Sequence, residues 1–475
     1  MVGETTLSDS IGSAPDRRRE AAASSLEPSP ALLLDLYELT MADAYRAEGM
    51  ADDTATFSLF ARALPPTWGF LVAAGLDDCL RWLEHLSFSA ADLEAVAALG
   101  GFSPSFLEWL GKVSFRGRVR AVPEGTIVFP NEPILEIEGP LGVVQLAETY
   151  LLNQVTLQTG LATEAARCRH AAQGRPVVDF ALRRAPGVDA GMKLARCSRL
   201  VGLAGTSNVA GAGRYQLPAS GTMAHSFVQA HSDELTAFRR FAATFAERTL
   251  LLVDTYDTER GVEHAIQVAS EMRRAGIEIH GIRIDSGNLA EMSRRARRRL
   301  DAAGFPNLII FVSGGLDEHR IHQLVTEAGA PIDGFGVGTT LGAAGGVPTV
   351  ETVYKLVDHQ GRPVRKTSSG KSTWPGAKQV YRRSDWSSDL LGLADEDPPT
   401  ASATPLLEEV MREGRRTAAG RRQLSASSRH FEDQWRRLPP QLKELQSPPS
   451  YPVNPSPELE HLTAAVDRSL AATSA

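Results

Sequence analysis

Four apolar runs, TLLLVDT at 249–255, IHGIRIDSG at 279–287, NLIIFVSGG at 307–315 and IDGFGVGTT at 332–340, recur along the middle of the chain. They stand roughly 25 to 30 residues apart, and the first three are each followed by a helical pattern. Runs that do not alternate apolar with polar residues are strands buried on both faces. Strand and helix in alternation therefore predict a parallel sheet covered by helices. The expected fold class is α/β: an irregular (β/α) barrel with a smaller mixed α+β domain built from N-terminal and C-terminal segments. The β-rich stretch FRGRVRAVPEGTIVFPNEPILEIEGPLG, punctuated by Gly and Pro, belongs to that smaller unit.

The expected organisation is a disordered tail at 1–28, an N-terminal α+β domain at 29–144 and the barrel at 145–358. A C-terminal segment at 359–439 packs on the N-terminal domain, and a mobile Pro-rich tail runs from 440 to 475. A chain of 475 residues with 43% apolar residues can bury more than one core. Its net charge of −7 is not that of a nucleic-acid binder, and the Arg294, Arg295, Arg297, Arg298, Arg299 cluster reads as a solvated helix face. Cys79, Cys168 and Cys197 form no C-x-x-C pair, and no apolar run approaches the roughly 20 residues of a membrane span. A cytoplasmic protein with reduced thiols, bound to neither membrane nor nucleic acid, is expected.

Each barrel strand ends in polar or glycine-rich residues: Asp254, Thr255 and Asp257; Arg283, Asp285 and Ser286; Ser313, Gly314 and Gly315; Gly336, Gly338 and Thr339. One aspartate at a strand end is usually a helix cap. Four polar ends in succession converge on one mouth, because the C-terminal ends of barrel strands form the catalytic face. The two glycine loops offer backbone N–H groups free of side chains, which suits phosphate. Phe180 beside Arg183 and Arg184 suits a flat anionic ring, and Gly205-Thr206-Ser207-Asn208 follows. In Gly221-Thr222-Met223-Ala224-His225-Ser226-Phe227, small neighbours leave His225 room for a bulky anion on one ring nitrogen.

Taken in order, LLLDLYELTM, FALRRA with GxDAG, GTSNV, GTMAHSF, VDTYDT, IRIDSG, the SGGLDE and GFGVGT loops, YKLV and PGAKQVYR resemble the nicotinate phosphoribosyltransferase family, a type II phosphoribosyltransferase, over residues 31 to 382. The resemblance implies transfer of phosphoribosyl from 5-phosphoribosyl pyrophosphate to nicotinate, coupled to ATP hydrolysis and assisted by Mg²⁺. It implies that His225 is phosphorylated, that Phe180 stacks on the pyridine ring, and that Tyr37 reaches the ring from the neighbouring subunit of a homodimer with shared sites. Arg183 and Arg283 become substrate-binding arginines, Asp285 a ribose-binding carboxylate, and Ser226 and Asp254 further substrate contacts. Ser313, Gly314, Gly315, Gly336, Gly338 and Thr339 become the 5′-phosphate site. The chain departs from the family pattern at Asn288, where DSGD is usual and a second acid is lost, and at Pro186 after the double arginine. Relatives that use nicotinamide carry an Asp matching Ser207, so a neutral Ser207 favours nicotinate over its amide. A barrel that binds without catalysing is the reading from another class.

Overall fold

The computed structural model describes residues 29–342 and 350–473. The N-terminal tail at 1–28 lies outside the described residues.

A seven-stranded sheet is assembled from both ends of the chain, in the order 362–363, 352–359, 54–61, 133–140, 118–121, 408–412, 415–416. Every neighbouring pair in it is antiparallel. Thr54–Ala61 is buried along nearly its whole length, which its run TATFSLFA satisfies with apolar or small residues on both faces. Two strands of the β-rich stretch, Arg118–Ala121 and Pro133–Pro140, join this sheet, and its third, Ile127–Val128, pairs with Leu71–Val72, so the stretch does not form a unit of its own.

The helix Glu148–Ala171 connects this region to the barrel, and it is buried around most of its circumference. Leu151 and Val155 pack in the core of the sheet, whereas Leu161 to Ala172 pack in the core of the barrel. One rigid rod therefore fixes the two units relative to each other.

Six parallel strands form the barrel: Val177–Asp179, Gly205–Thr206, Leu250–Leu252, Gly281–Ile284, Ile309–Ser313 and Gly334–Val337. Their spatial order is second, first, sixth, fifth, fourth, third. Read around a ring, that is simple chain order with one interruption of the ladder, between the second and third strands. The interruption is spanned by Pro218–Thr222. Thr206 N donates to Pro218 O at 3.0 Å, Ser220 N donates to Thr206 O at 2.9 Å, and the Thr222 hydroxyl donates to Leu250 O. The barrel is irregular as expected, and its backbone ladder does not close.

The arginine cluster behaves as a solvated face: Arg295 pairs with Glu259 and Glu291, Arg299 with Glu259 and Glu263, and Arg297 with Asp301. No helix among the described residues is long and apolar enough to cross a membrane.

The expected mobile tail from 440 is corrected by the structure. Val453–Pro455 adds a parallel strand to Asp389–Leu393, Pro457–Thr473 is a helix that buries Leu459, and Tyr451 stacks on Phe129 with ring centroids 3.8 Å apart. The prolines there punctuate a packed segment; they do not mark a solvated one. Beneath it Arg382 is buried and donates from Nη2 to Asp389 Oδ2 at 2.5 Å and from Nη1 to Ile127 O at 2.7 Å. Its guanidinium also lies 4.4 Å from the Trp386 ring centroid. Tyr451 donates to Asp389 at 2.9 Å, so the C-terminal segment hangs on the same charge pair. Removing one partner of a buried ion pair strands the other. Arg382→Ala is expected to lower the free energy of unfolding by about 3–5 kcal/mol in denaturant titrations, and a loss below about 1 kcal/mol would refute this account.

Candidate active site

The four strand ends singled out in the sequence do converge. Arg283, on the fourth strand, donates from Nη2 to Asp285 Oδ1 at 2.7 Å and from Nε to Ser313 Oγ at 2.7 Å. Ser313 Oγ in turn donates to Asp285 Oδ1. Adjacent parallel strands place these side chains level, since Val312 pairs with Ile284. Burial raises the Asp285 carboxyl pKa, but the hydrogen bonds from Ser313 and Arg283 and the nearby positive charge more than offset it, leaving Asp285 below the ordinary aspartate range. It is an anion anchored through Oδ1, with Oδ2 turned toward His225.

Asp254, at the end of the third strand, accepts from Asp285 N at 2.9 Å and from Ser286 Oγ at 2.5 Å through Oδ2. Its Oδ1 is buried and has no protein partner among the described residues. His225 opens the short helix His225–Gln229 just after the seam. Its Nδ1 lies 3.1 Å from Thr255 Oγ1, and its Nε2 lies 4.0 Å from Asp285 Oδ2. With its side chain 40% exposed, the imidazole is reachable from solvent and oriented from behind by the threonine.

Phe180 follows the first strand, and the Arg283 guanidinium carbon lies 5.4 Å from its ring centroid. A cavity of about 540 Å³ reaches the Phe180 ring from the N-terminal ends of the strands, lined among others by Pro176, Ala204, Leu250, His280 and Ile309, on the side of the barrel away from Asp285 and His225. Phe180 thus has the arginine on one side and open space on another.

The glycines have separate reasons. Gly314 adopts φ +86°, and a Cβ there would lie 1.9 Å from the main-chain carbonyl oxygen of Asp285, so the loop can pass that backbone only without a side chain. Gly336 is buried, and a Cβ would strike the Phe180 ring at 2.5 Å. Packing of the aromatic accounts for this glycine, and its N–H is not open to solvent as the sequence suggests. Gly315 and Thr339 are exposed and Gly338 half-exposed, at the same mouth.

Other candidates stand farther out. Arg183 lies exposed on the turn Leu182–Arg184, Ser226 is exposed beside His225, and Ser207 is exposed after the second strand, its N–H donating to Asp179 O at 2.7 Å. Tyr37 is on the helix Leu36–Ala47 of the other unit, 43% exposed. Asn288 caps the helix Leu289–Ala302, accepting from Glu291 N at 3.3 Å. Sequence reasoning passed over Asp179. It is buried, accepts from Thr206 Oγ1 at 2.7 Å and from Ala181 N at 2.8 Å, and so ties together the two strand ends that carry Phe180 and Ser207. An acid ending VVDF was the available signal.

Comparison with known proteins agrees along nearly the whole chain. Residues 32–156 match the model of the nicotinate phosphoribosyltransferase N-terminal domain, 176–382 that of the nicotinate phosphoribosyltransferase family, and 399–463 that of the corresponding C-terminal domain. Nicotinate phosphoribosyltransferase pncB2 of Mycobacterium tuberculosis is 48% identical over 89% of this chain and 91% of its own length. Nicotinate phosphoribosyltransferase of Bacillus subtilis is 41% identical over 78% of this chain and 77% of its own. The crystal structure of human nicotinic acid phosphoribosyltransferase superimposes with a TM-score of 0.82 at 30% identity, covering 92% of this chain and 100% of the human one.

Proposed function

The chain belongs to the nicotinate phosphoribosyltransferase family and converts nicotinate to nicotinate mononucleotide for NAD biosynthesis, and from that premise we propose how its residues divide the work. The reading rests on one observation above all, the rigid Arg283–Asp285–Ser313 triangle set between the Phe180 ring and the His225 imidazole.

Phe180 stacks on the pyridine ring, and Arg283 with Arg183 binds its carboxylate. The pyridine nitrogen attacks C1 of 5-phosphoribosyl pyrophosphate as the bond from C1 to the pyrophosphate oxygen breaks, with the electron pair leaving on pyrophosphate. Positive charge gathers on the ribose in that transition state. Asp285, already ionised and unable to turn away, is the group that stabilises it. Ser313, Gly314, Gly315, Gly338 and Thr339 edge the mouth where the 5′-phosphate sits, and Ser226 flanks it.

The transfer needs no protein nucleophile, so His225 serves the coupled ATP reaction. One imidazole nitrogen bonds to the γ-phosphorus of ATP while ADP departs with the electron pair, and later hydrolysis of the N–P bond returns the free histidine. The unpartnered Asp254 Oδ1 beside Asp285 fits a divalent cation such as Mg²⁺, which Asp254 and Asp285 would hold. When bound it neutralises diphosphate charge. Three free buried thiols support a cytoplasmic enzyme. The exposure of Tyr37 supports a homodimer in which Tyr37 of the partner subunit completes each pyridine site.

Nicotinate, nicotinamide and quinolinate assayed in parallel, each with and without ATP, test the assignment. Nicotinate is expected to be preferred over nicotinamide by a factor on the order of ten to several hundred in kcat/KM, the worth of about 1.5–3 kcal/mol of charge-assisted hydrogen bonding. ATP should raise nicotinate turnover. Ser207→Asp places a negative charge beside Phe180 and should depress nicotinate use far more than nicotinamide use. Equal loss of both substrates, or of neither, would show that Ser207 does not face the ring substituent.

A further inference from the structure

Tyr37 can serve a neighbouring subunit only if its helical turn is held at a fixed angle. The residue that does this is next to it. Glu38 is fully buried, and its Oε1 accepts from Thr149 N at 2.7 Å and from Thr149 Oγ1 at 2.6 Å, at the first turn of the helix Glu148–Ala171. We propose that Glu38 is a positioning residue for Tyr37, its buried carboxyl, bonded to Thr149, anchoring the start of the helix Leu36–Ala47 so that Tyr37 points out to the partner subunit's pyridine site. This inference rests on the shared-site reading above.

Burial supports the neutral form. The Thr149 hydroxyl lies 2.6 Å from Glu38 Oε1, whereas Asp35, 3.0 Å from the same hydroxyl, is exposed and solvated. Glu38 Oε2 is buried with no partner among the described residues, where an ionised oxygen would be costly.

The groups around Glu38 are Asp35 and Tyr37 on its own helix, Glu148 on the facing helix, and Tyr354 and Lys355 on the strand Thr352–His359. The Lys355 ammonium lies 3.8 Å from Glu148 Oε1, and the charge of Glu148 also bears on the Tyr37 hydroxyl. Lys355 is thus engaged by Glu148, and Glu38 has no ion pair among the described residues. Burial first, then the charges of Glu148 and Asp35, push the Glu38 carboxyl up to about 8, against the Thr149 hydrogen bonds. The carboxyl is therefore raised from an ordinary value of 4.5. The sign follows: docking of the turn is strongest at low pH, weakens as pH rises above the ordinary value, and is lost once the buried carboxyl ionises at about 8.

The test is the steady-state KM for nicotinate and kcat of the full-length enzyme from about pH 6.5 to about pH 9.5. Wild type, Glu38→Gln, Glu38→Ala and Tyr37→Ala are compared, together with the double variants that combine each Glu38 change with Tyr37→Ala. Wild type should show KM rising about tenfold above roughly pH 8 with kcat little changed. Glu38→Gln, which supplies a neutral side chain of the same shape, should keep the low KM throughout. Glu38→Ala should show the high KM at every pH, and neither Glu38 change should matter once Tyr37 is gone. An alkaline rise that persists in Glu38→Gln overturns the proposal, as does an equal effect of Glu38→Ala with and without Tyr37. If Tyr37→Ala alone leaves KM unchanged, it is the shared site itself that fails.

Discussion

Incubated with labelled ATP and Mg²⁺, the wild-type chain should become an acid-labile, base-stable phosphoprotein, and His225→Ala should take up no label at all. Phosphohistidine has that stability profile, and His225 offers the needed geometry. Thr255 Oγ1 sits 3.1 Å from Nδ1 and fixes the ring, while the side chain stays 40% exposed to an incoming nucleotide. Stimulation of turnover by ATP should vanish with the label. Transfer from 5-phosphoribosyl pyrophosphate should continue at the unstimulated rate, because the pyridine nitrogen does the attacking. The His225 side chain makes no buried ion pair, so the fold should survive, as circular dichroism would show. Label retained in His225→Ala would move the phosphoacceptor elsewhere and take the ATP assignment with it.

The second large effect belongs to Asp285. Replacing it with alanine should cost at least about 10³-fold in kcat/KM, some 4 kcal/mol of transition-state stabilisation. Two losses combine. The charge that opposes the developing positive ribose goes, and Arg283 loses its 2.7 Å carboxylate partner and retains Ser313 alone to orient it beside Phe180. Asp285→Asn keeps much of the shape and should recover Arg283 orientation without the charge. It should therefore bind nicotinate nearly as well as wild type while kcat stays low. A drop in kcat/KM of less than tenfold in the alanine variant would mean that Asp285 only buttresses the loop.

The strand ends were legible because buried parallel strands leave a strong apolar signature, and polar residues that break it stand out. Arg283, Asp285 and Ser313 were found that way, and their mutual bonding follows from strand register. The approach of His225 to Thr255 was not legible, since no periodicity governs where a loop lands on a neighbouring strand end. The two-residue strand Gly205–Thr206 is too short to carry a pattern. Asp179 was hidden for a different reason: its work is to join two loops, which only tertiary structure reveals. The segment after residue 440 was misjudged because proline density resembles that of a linker, while its anchoring rests on single residues such as Tyr451 and Leu459.

The outer sheet sets a timetable for the newborn chain. Thr54–Ala61 needs Thr352–His359 on one side, and Arg118–Ala121 needs Glu408–Arg412. At translation speeds of about 5–20 residues per second, the ribosome adds the last of these strands on the order of 15–60 s after residue 121. Through that interval the early strands hold open edges, while the barrel strands between them have all their own ladder partners and can pair first. A barrel that is already folded brings the two halves of the sheet within reach. The slow, exposed stage of this protein's life is thus the closing of its periphery, and chaperones that shield strand edges should act on nascent chains that end between these two points.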